Sequence, residues 1–278
     1  MYRRSCKILN NITESFALTL LVGLTMGLGS LLSFFVTEKH KSFFSISLSL
    51  SAGIMIYISF MEILPEGIHL IEQYMGEGYV WIALIWFFFG MFLTAVIEKF
   101  VHAFAGSFHS HKHNSHRHHA HDHEDSHLSK LGIMSALAIA MHNVPEGLAL
   151  FTTGIKDIAL AYPVALAIII HNVPLAVAIS VPLVYSTGSR KKAFLYTTFV
   201  GLMQPIGAII GYMLLANFLN DMVFGILLSL VAGIMIFVSL DELLPAAQQD
   251  VDHHLSVYGA VAGMIIMALA LSFFGHSH

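Results

Sequence analysis

A single cysteine, Cys6, occurs in 278 residues. That excludes an intrachain disulfide framework and any cysteine-rich metal site. Charge is also scarce: Asp, Glu, Lys and Arg make up 11% of the chain against 56% hydrophobic residues. A soluble domain of this length needs far more polar surface. The net charge of -4, with histidine neutral, gives no basis for nucleic-acid binding. No HExxH lies within an apolar run, since the one match, HEDSH at His123–His127, falls in a hydrophilic stretch; a membrane helix on which zinc proteases set a general base between two ligands is therefore missing. What remains is a polytopic membrane protein. The 7 prolines and 21 glycines, set among apolar runs, suit membrane helices better than a soluble core.

Apolar runs at 12–36, 43–64, 79–101, 131–153, 158–184, 193–216, 223–243 and 256–274 are each long enough to span a bilayer. The first is too long for a signal-peptide core and lacks a clear small-residue cleavage site, so it is expected to be a membrane helix. Orientation follows from Lys and Arg in the connections. Lys39, Lys41, Lys99, Lys112, Arg117, Lys130, Arg190, Lys191 and Lys192 share one side; Arg3, Arg4, Lys7 and Lys156 share the other. The richer side is expected in the cytoplasm of a plasma membrane, with both termini outside. The chain is thus predicted to be all-α, one transmembrane domain over residues 1–278.

One connection is long and hydrophilic, about 102–130. It holds His109, His111, His113, His116, His118, His119, His121, His123 and His127, with Asp122, Glu124 and Asp125 among them. Such a tract cannot build a packed core and is compositionally a disordered, cytoplasmic metal-binding segment. Neutral imidazoles favour zinc and similar divalent ions. The competing reading is a low-complexity linker.

Leu50–Gly67 (LSAGIMIYISFMEILPEG) matches Leu230–Ala247 (LVAGIMIFVSLDELLPAA) at a constant offset of 180. These lie in the second and seventh runs, which cross in opposite directions. The fourth and fifth runs share a second motif, MHNVPEGLAL at Met141–Leu150 and IHNVPLAVAI at Ile170–Ile179. The pattern predicts two inverted repeats of three helices flanking an antiparallel pair, a 3+2+3 bundle. Transporters use such repeats to place a site near the midplane.

His142 and Glu146 are four apart, on one helix face. A carboxylate at bilayer depth costs roughly 2.5–3.5 kcal/mol even on lenient scales, so it faces a partner, water or a cation. Imidazole and carboxylate together suit a divalent metal. The bland reading is a His–Glu contact that packs two helices. His171, Asn143, Asn172 and, in GLMQPIGA, Gln204 complete the candidate set. Pro145 and Pro174 each remove an internal helix bond and free a carbonyl near the site, unless they only kink the helix. One carboxylate leaves the loaded site net positive, which favours release. Toward the membrane faces, Glu62 and Glu66 on one side and Asp241 and Glu242 on the other are candidate entry and exit relays. Interfacial capping is the plainer account of Glu66.

The HNxPEG and HNxP pair, the His-rich loop, the DELLPA segment and the eight-run plan resemble the ZIP (Zrt/Irt-like) metal transporters. The likeness covers nearly the whole chain. It implies uptake of zinc, with iron, manganese and cadmium as further substrates, into the cytoplasm. It also implies pairing as a homodimer, and neither an enzyme nor an organic cofactor. It further implies a binuclear site: His142 and Glu146 match ligands of the first site, Glu146 bridges to the second, and His171 matches a position able to ligate. Asn143 and Asn172 match second-site positions. Two residues depart from the pattern. Leu175 stands where the family usually has Glu or His, and Gln204 where it often has Glu. Both losses remove anionic ligands, so one main site is expected. The alternatives are a metal receptor that does not transport, an intramembrane metalloprotease, and a diffusion-facilitator exporter. The last would have six spans and a soluble C-terminal domain.

Overall fold

The computed structural model describes residues 2–32, 41–107, 143–215, 220–249 and 253–274. Among them there is no strand, and seven helices are long and apolar enough to cross a membrane. In chain order, α1 is Tyr2–Leu32. Helix α2 runs over Lys41–Ile58, passes through a π turn at Ser59–Ile63 and continues as Leu64–Met75. Helix α3 is Val80–Ser107, and α4 is described over 143–156. Helix α5 is Ile158–Thr187, α6 is Arg190–Gly201 continuing as Met203–Leu215, α7 is Asp221–Val238 with a π turn at Ser239–Leu243 and a last turn at Leu244–Gln248, and α8 is His253–Phe274.

Local chemistry fixes several boundaries. The Asp157 side chain accepts from the Ala159 N–H at 3.0 Å and starts α5, whose end falls at Gly188 with φ of 61°. That left-handed conformation is one glycine adopts without steric cost. Asn220 caps α7 in the same manner as Asp157 caps α5, accepting from the Val223 N–H at 2.9 Å. Helix α5 runs unbroken through Pro163, Pro174 and Pro182. The prolines therefore do not interrupt it.

The second span outruns the sequence expectation. An apolar run ending near Pro65 becomes a helix reaching Met75, because a π turn absorbs the proline. Pro65 has no N–H for the Met61 carbonyl and its ring would crowd it. In the π turn the Leu64 N–H reaches back to Ser59, one residue further than an α-helix would. The seventh span repeats this, with Leu244 N–H on the Ser239 carbonyl ahead of Pro245. Ser59 and Ser239 each donate their hydroxyl to a methionine carbonyl in the preceding turn, Met55 at 2.7 Å and Met235 at 2.8 Å. Both π turns obey the offset of 180 seen in the sequence.

Packing repeats it too. A Cβ on Gly53 would collide with the Ala260 carbonyl of α8, and one on Gly233 with the Phe87 carbonyl of α3. In return, Gly263 of α8 abuts the Leu50 carbonyl and Gly90 of α3 abuts the Leu230 carbonyl. Leu50 and Leu230, like Gly53 and Gly233, are equivalent positions of the repeat. Small residues let membrane helices approach at backbone distance, where dispersion replaces the missing hydrophobic drive. So α2 lies along α8 and α3 along α7, while α1 lies along α5 and α6. Helix α2 also meets α5. Large apolar side chains such as Phe88, Phe92, Phe199 and Phe273 point outward.

Candidate functional site

Helices α4, α5 and α6 bring five of the sequence candidates into one buried group. Asn143, Glu146 and Asn172 have no exposed surface, and His171 and Gln204 have 1% each. Helix α4 reaches α6 through two glycines. A Cβ on Gly147 would strike the Gln204 carbonyl, and one on Gly207 the Val144 carbonyl. The residue after Glu146 thus sets α6 close enough for Gln204 to reach the carboxylate.

His171 Nε2 lies 3.1 Å from Glu146 Oε1, an ion-pair distance without hydrogen-bond alignment. Gln204 Nε2 donates to the other oxygen, Glu146 Oε2, at 2.9 Å and to Asn172 Oδ1 at 3.5 Å. Asn172 Nδ2 in turn donates to the Val22 carbonyl and to Thr25 Oγ1 of α1, both at 3.3 Å. Asn143 Nδ2 donates to the Val200 carbonyl of α6 at 2.9 Å. Ser51 of α2 donates to the His171 carbonyl at 3.0 Å. That bond lies one residue from the Ile170 carbonyl, whose α-helical donor Pro174 cannot supply.

The donor inventory leans one way. Asn143 Oδ1, His171 Nε2 and Gln204 Oε1 are buried and have no hydrogen-bond partner among the described residues. Buried acceptors in that condition are costly, on the order of 1–3 kcal/mol each. A cation would satisfy several at once, and one imidazole with oxygen donors suits zinc, Fe(II) and Mn(II). His142 lies outside the described residues, as do the loop candidates His116, His118, His119, His121 and His123. Among the described residues no three His, Cys, Asp or Glu side chains are placed so that together they could hold a metal ion. Leu175 is fully buried one helical turn beyond His171 and brings no ligand.

The remaining candidates sit in the two π turns: Glu62 in the first, Asp241 and Glu242 in the second. The fold adds a residue that sequence reasoning passed over. Glu98, on α3 and almost fully buried, meets the carboxyls of Glu242 and Asp241. Its signal was a lone carboxylate inside the third apolar run. Glu66 lines a small pocket with Thr152, Thr153 and Lys156. Lys156 pairs with Asp221 at 3.1 Å, joining the end of α4 to the start of α7.

A model of the ZIP zinc transporter family matches residues 11–131 and 105–271. The chain belongs to the ZIP family. It is 45% identical over 279 residues to the zinc transporter ZupT of Clostridium perfringens, covering 96% of this chain and 98% of that protein. The zinc transporter ZupT of Streptococcus mutans is 44% identical over 265 residues, covering 95% and 98%. That of Oceanobacillus iheyensis is 43% identical over 265 residues, with the same coverage. With seven apolar helices among the described residues, this ZIP chain is a multi-pass membrane protein of a transporter family. The family confirms the resemblance carried by the paired HNVP motifs.

Proposed function

We propose that this ZIP protein carries divalent transition-metal ions, zinc foremost and iron, manganese and cadmium besides, into the cytoplasm. The passage is a midplane site on α4 and α5. The reading rests on one observation: Glu146, without exposed surface at membrane depth, meets His171 Nε2 at 3.1 Å. In this reading Glu146, His171 and His142 are the ligands, while Asn143, Asn172 and Gln204 supply weaker amide oxygens. A single anionic ligand holds one ion and releases it readily; Leu175 and the Gln204 amide support one main site over two. The relays are Glu62 on the outer side and Asp241 and Glu242, joined by Glu98, on the cytoplasmic side.

The same reading completes the architecture: eight spans in a 3+2+3 inverted repeat, termini outside, two copies paired in the bilayer. The repeated glycine contacts and π turns support the repeat. The His-rich loop serves as a cytoplasmic sink or sensor. A receptor that binds metal without moving it is the second reading, favoured by the same loss of anionic ligands at Leu175 and Gln204. Initial-rate uptake of radiolabelled zinc into proteoliposomes, wild type beside Glu146→Ala, tests the proposal, with Fe(II), Mn(II) and Cd(II) as competitors. Uptake lost in the variant supports the importer and its site. A folded, zinc-binding wild type without uptake supports the receptor.

A further inference from the structure

Helix α1 carries none of the candidate site residues, yet it touches the candidate site at Val22 and Thr25. The Thr25 hydroxyl donates to the Val22 carbonyl at 2.6 Å, which leaves its lone pairs to accept. Asn172 Nδ2 donates to that hydroxyl and to the Val22 carbonyl, at 3.3 Å each. Both hydrogens of the Asn172 amide are thereby committed to α1, and its Oδ1 must face α6. There it accepts from Gln204 Nε2, whose second hydrogen goes to Glu146 Oε2.

The polarity of this chain is fixed at both ends. A carbonyl at Val22 can only accept, and so can an ionised Glu146. Rotating either amide by half a turn would set oxygen against oxygen at two contacts. One oxygen of the Glu146 carboxylate, Oε2, is therefore fixed by Gln204, and the other, Oε1, lies 3.1 Å from His171 Nε2.

We infer that Thr25 is a positioning residue for metal transport: through Asn172 and Gln204 it fixes the face that Glu146 presents to the ion. The inference rests on the proposed role of Glu146. It says that the first helix helps set the affinity of a site carried by the fourth and fifth. Outer hydrogen-bond partners of metal ligands have this effect elsewhere, by orienting the ligand before the ion arrives.

The test is zinc uptake by the full chain in proteoliposomes, with KM and Vmax measured separately. Thr25→Val keeps the shape and removes the hydroxyl. It is expected to raise KM for zinc on the order of tenfold, the low end for such partners, with Vmax within about twofold of wild type. Thr25→Ser is expected to restore the wild-type KM. Thr25→Val combined with Gln204→Ala should raise KM no further than Gln204→Ala alone, because both act through one chain. If Thr25→Val does not reach the membrane, Thr25→Ala reports on the same hydroxyl.

An unchanged KM in Thr25→Val overturns the inference, and so does equal impairment by Thr25→Ser. Additive effects in the double variant overturn it too. A lowered melting temperature with KM and Vmax lost together marks a structural role instead. Glu146→Ala in the same vesicles separates the two claims. Uptake surviving that variant defeats the Glu146 reading. Uptake lost there while Thr25→Val behaves as wild type defeats only the role of Thr25.

Discussion

Gln204 meets Glu146 twice over: its side chain donates to Glu146 Oε2 at 2.9 Å, and its backbone carbonyl rests against Gly147, the next residue along. The glycine contact and the amide contact depend on each other. The helices must touch at backbone distance for an amide as short as glutamine's to reach the carboxylate.

Adding a side chain at that crossing is expected to disrupt both. Gly147→Val would push its Cβ into the Gln204 carbonyl, and overpacking of this kind costs about 1–3 kcal/mol. The detergent-solubilised protein should melt at lower temperature, and zinc affinity should fall with it. A variant with unchanged melting and affinity would mean that α4 and α6 do not cross here.

Glu146 itself carries the strongest prediction. Glu146→Ala should reduce zinc uptake by more than about tenfold, the equivalent of 1.4 kcal/mol. Asn172→Ala, which removes only an amide oxygen and its contacts, should do less. Equal and mild losses in uptake assays would refute a single carboxylate-centred site.

Leu175 offers a gain-of-ligand experiment. It is fully buried one helical turn after His171, so Leu175→Glu would bring a second carboxylate to the same region. Calorimetric zinc binding should tighten and turnover should slow, since a buried carboxylate at membrane depth is best satisfied by a cation. Unchanged binding would show that residue 175 faces away from the ion.

The histidine loop should be dispensable for movement of metal. Deleting 109–127 is expected to leave initial zinc uptake near the wild-type rate, because a sink or sensor acts outside the passage. Complete loss of uptake would place the loop on the pathway. This segment lies outside the described residues, so its part in transport rests on composition.

Much of the candidate site was legible in the chain. His171, Asn143, Asn172, Glu146 and Gln204 stood out because polar residues in long apolar runs are expensive there. The repeat was legible as well, and its offset of 180 reappears in the paired π turns at Ser59–Ile63 and Ser239–Leu243. Thr25 gave no such signal. A hydroxyl in an apolar run costs little when it bonds its own helix, as Thr19 and Ser15 also do. Glu98 carried a signal, a carboxylate inside an apolar run, but its partners Asp241 and Glu242 lie far along the chain and only the fold brings them together.

The sequence by itself determined that the chain is a series of apolar helices, seven of them of membrane-spanning length among the described residues, and it determined the polar motifs and the offset of 180. Each is a pattern along one dimension: an apolar length, a spacing of four, a constant offset. Tertiary structure alone decided which groups meet. Gln204 and Glu146 are 58 residues apart, and Thr25 and Asn172 are 147 apart. Their contacts depend on where glycines let helices cross, and no periodicity encodes that. The direction of the amides was decided there too, because acceptor-only groups at both ends of a hydrogen-bonded chain leave the amides between them one arrangement.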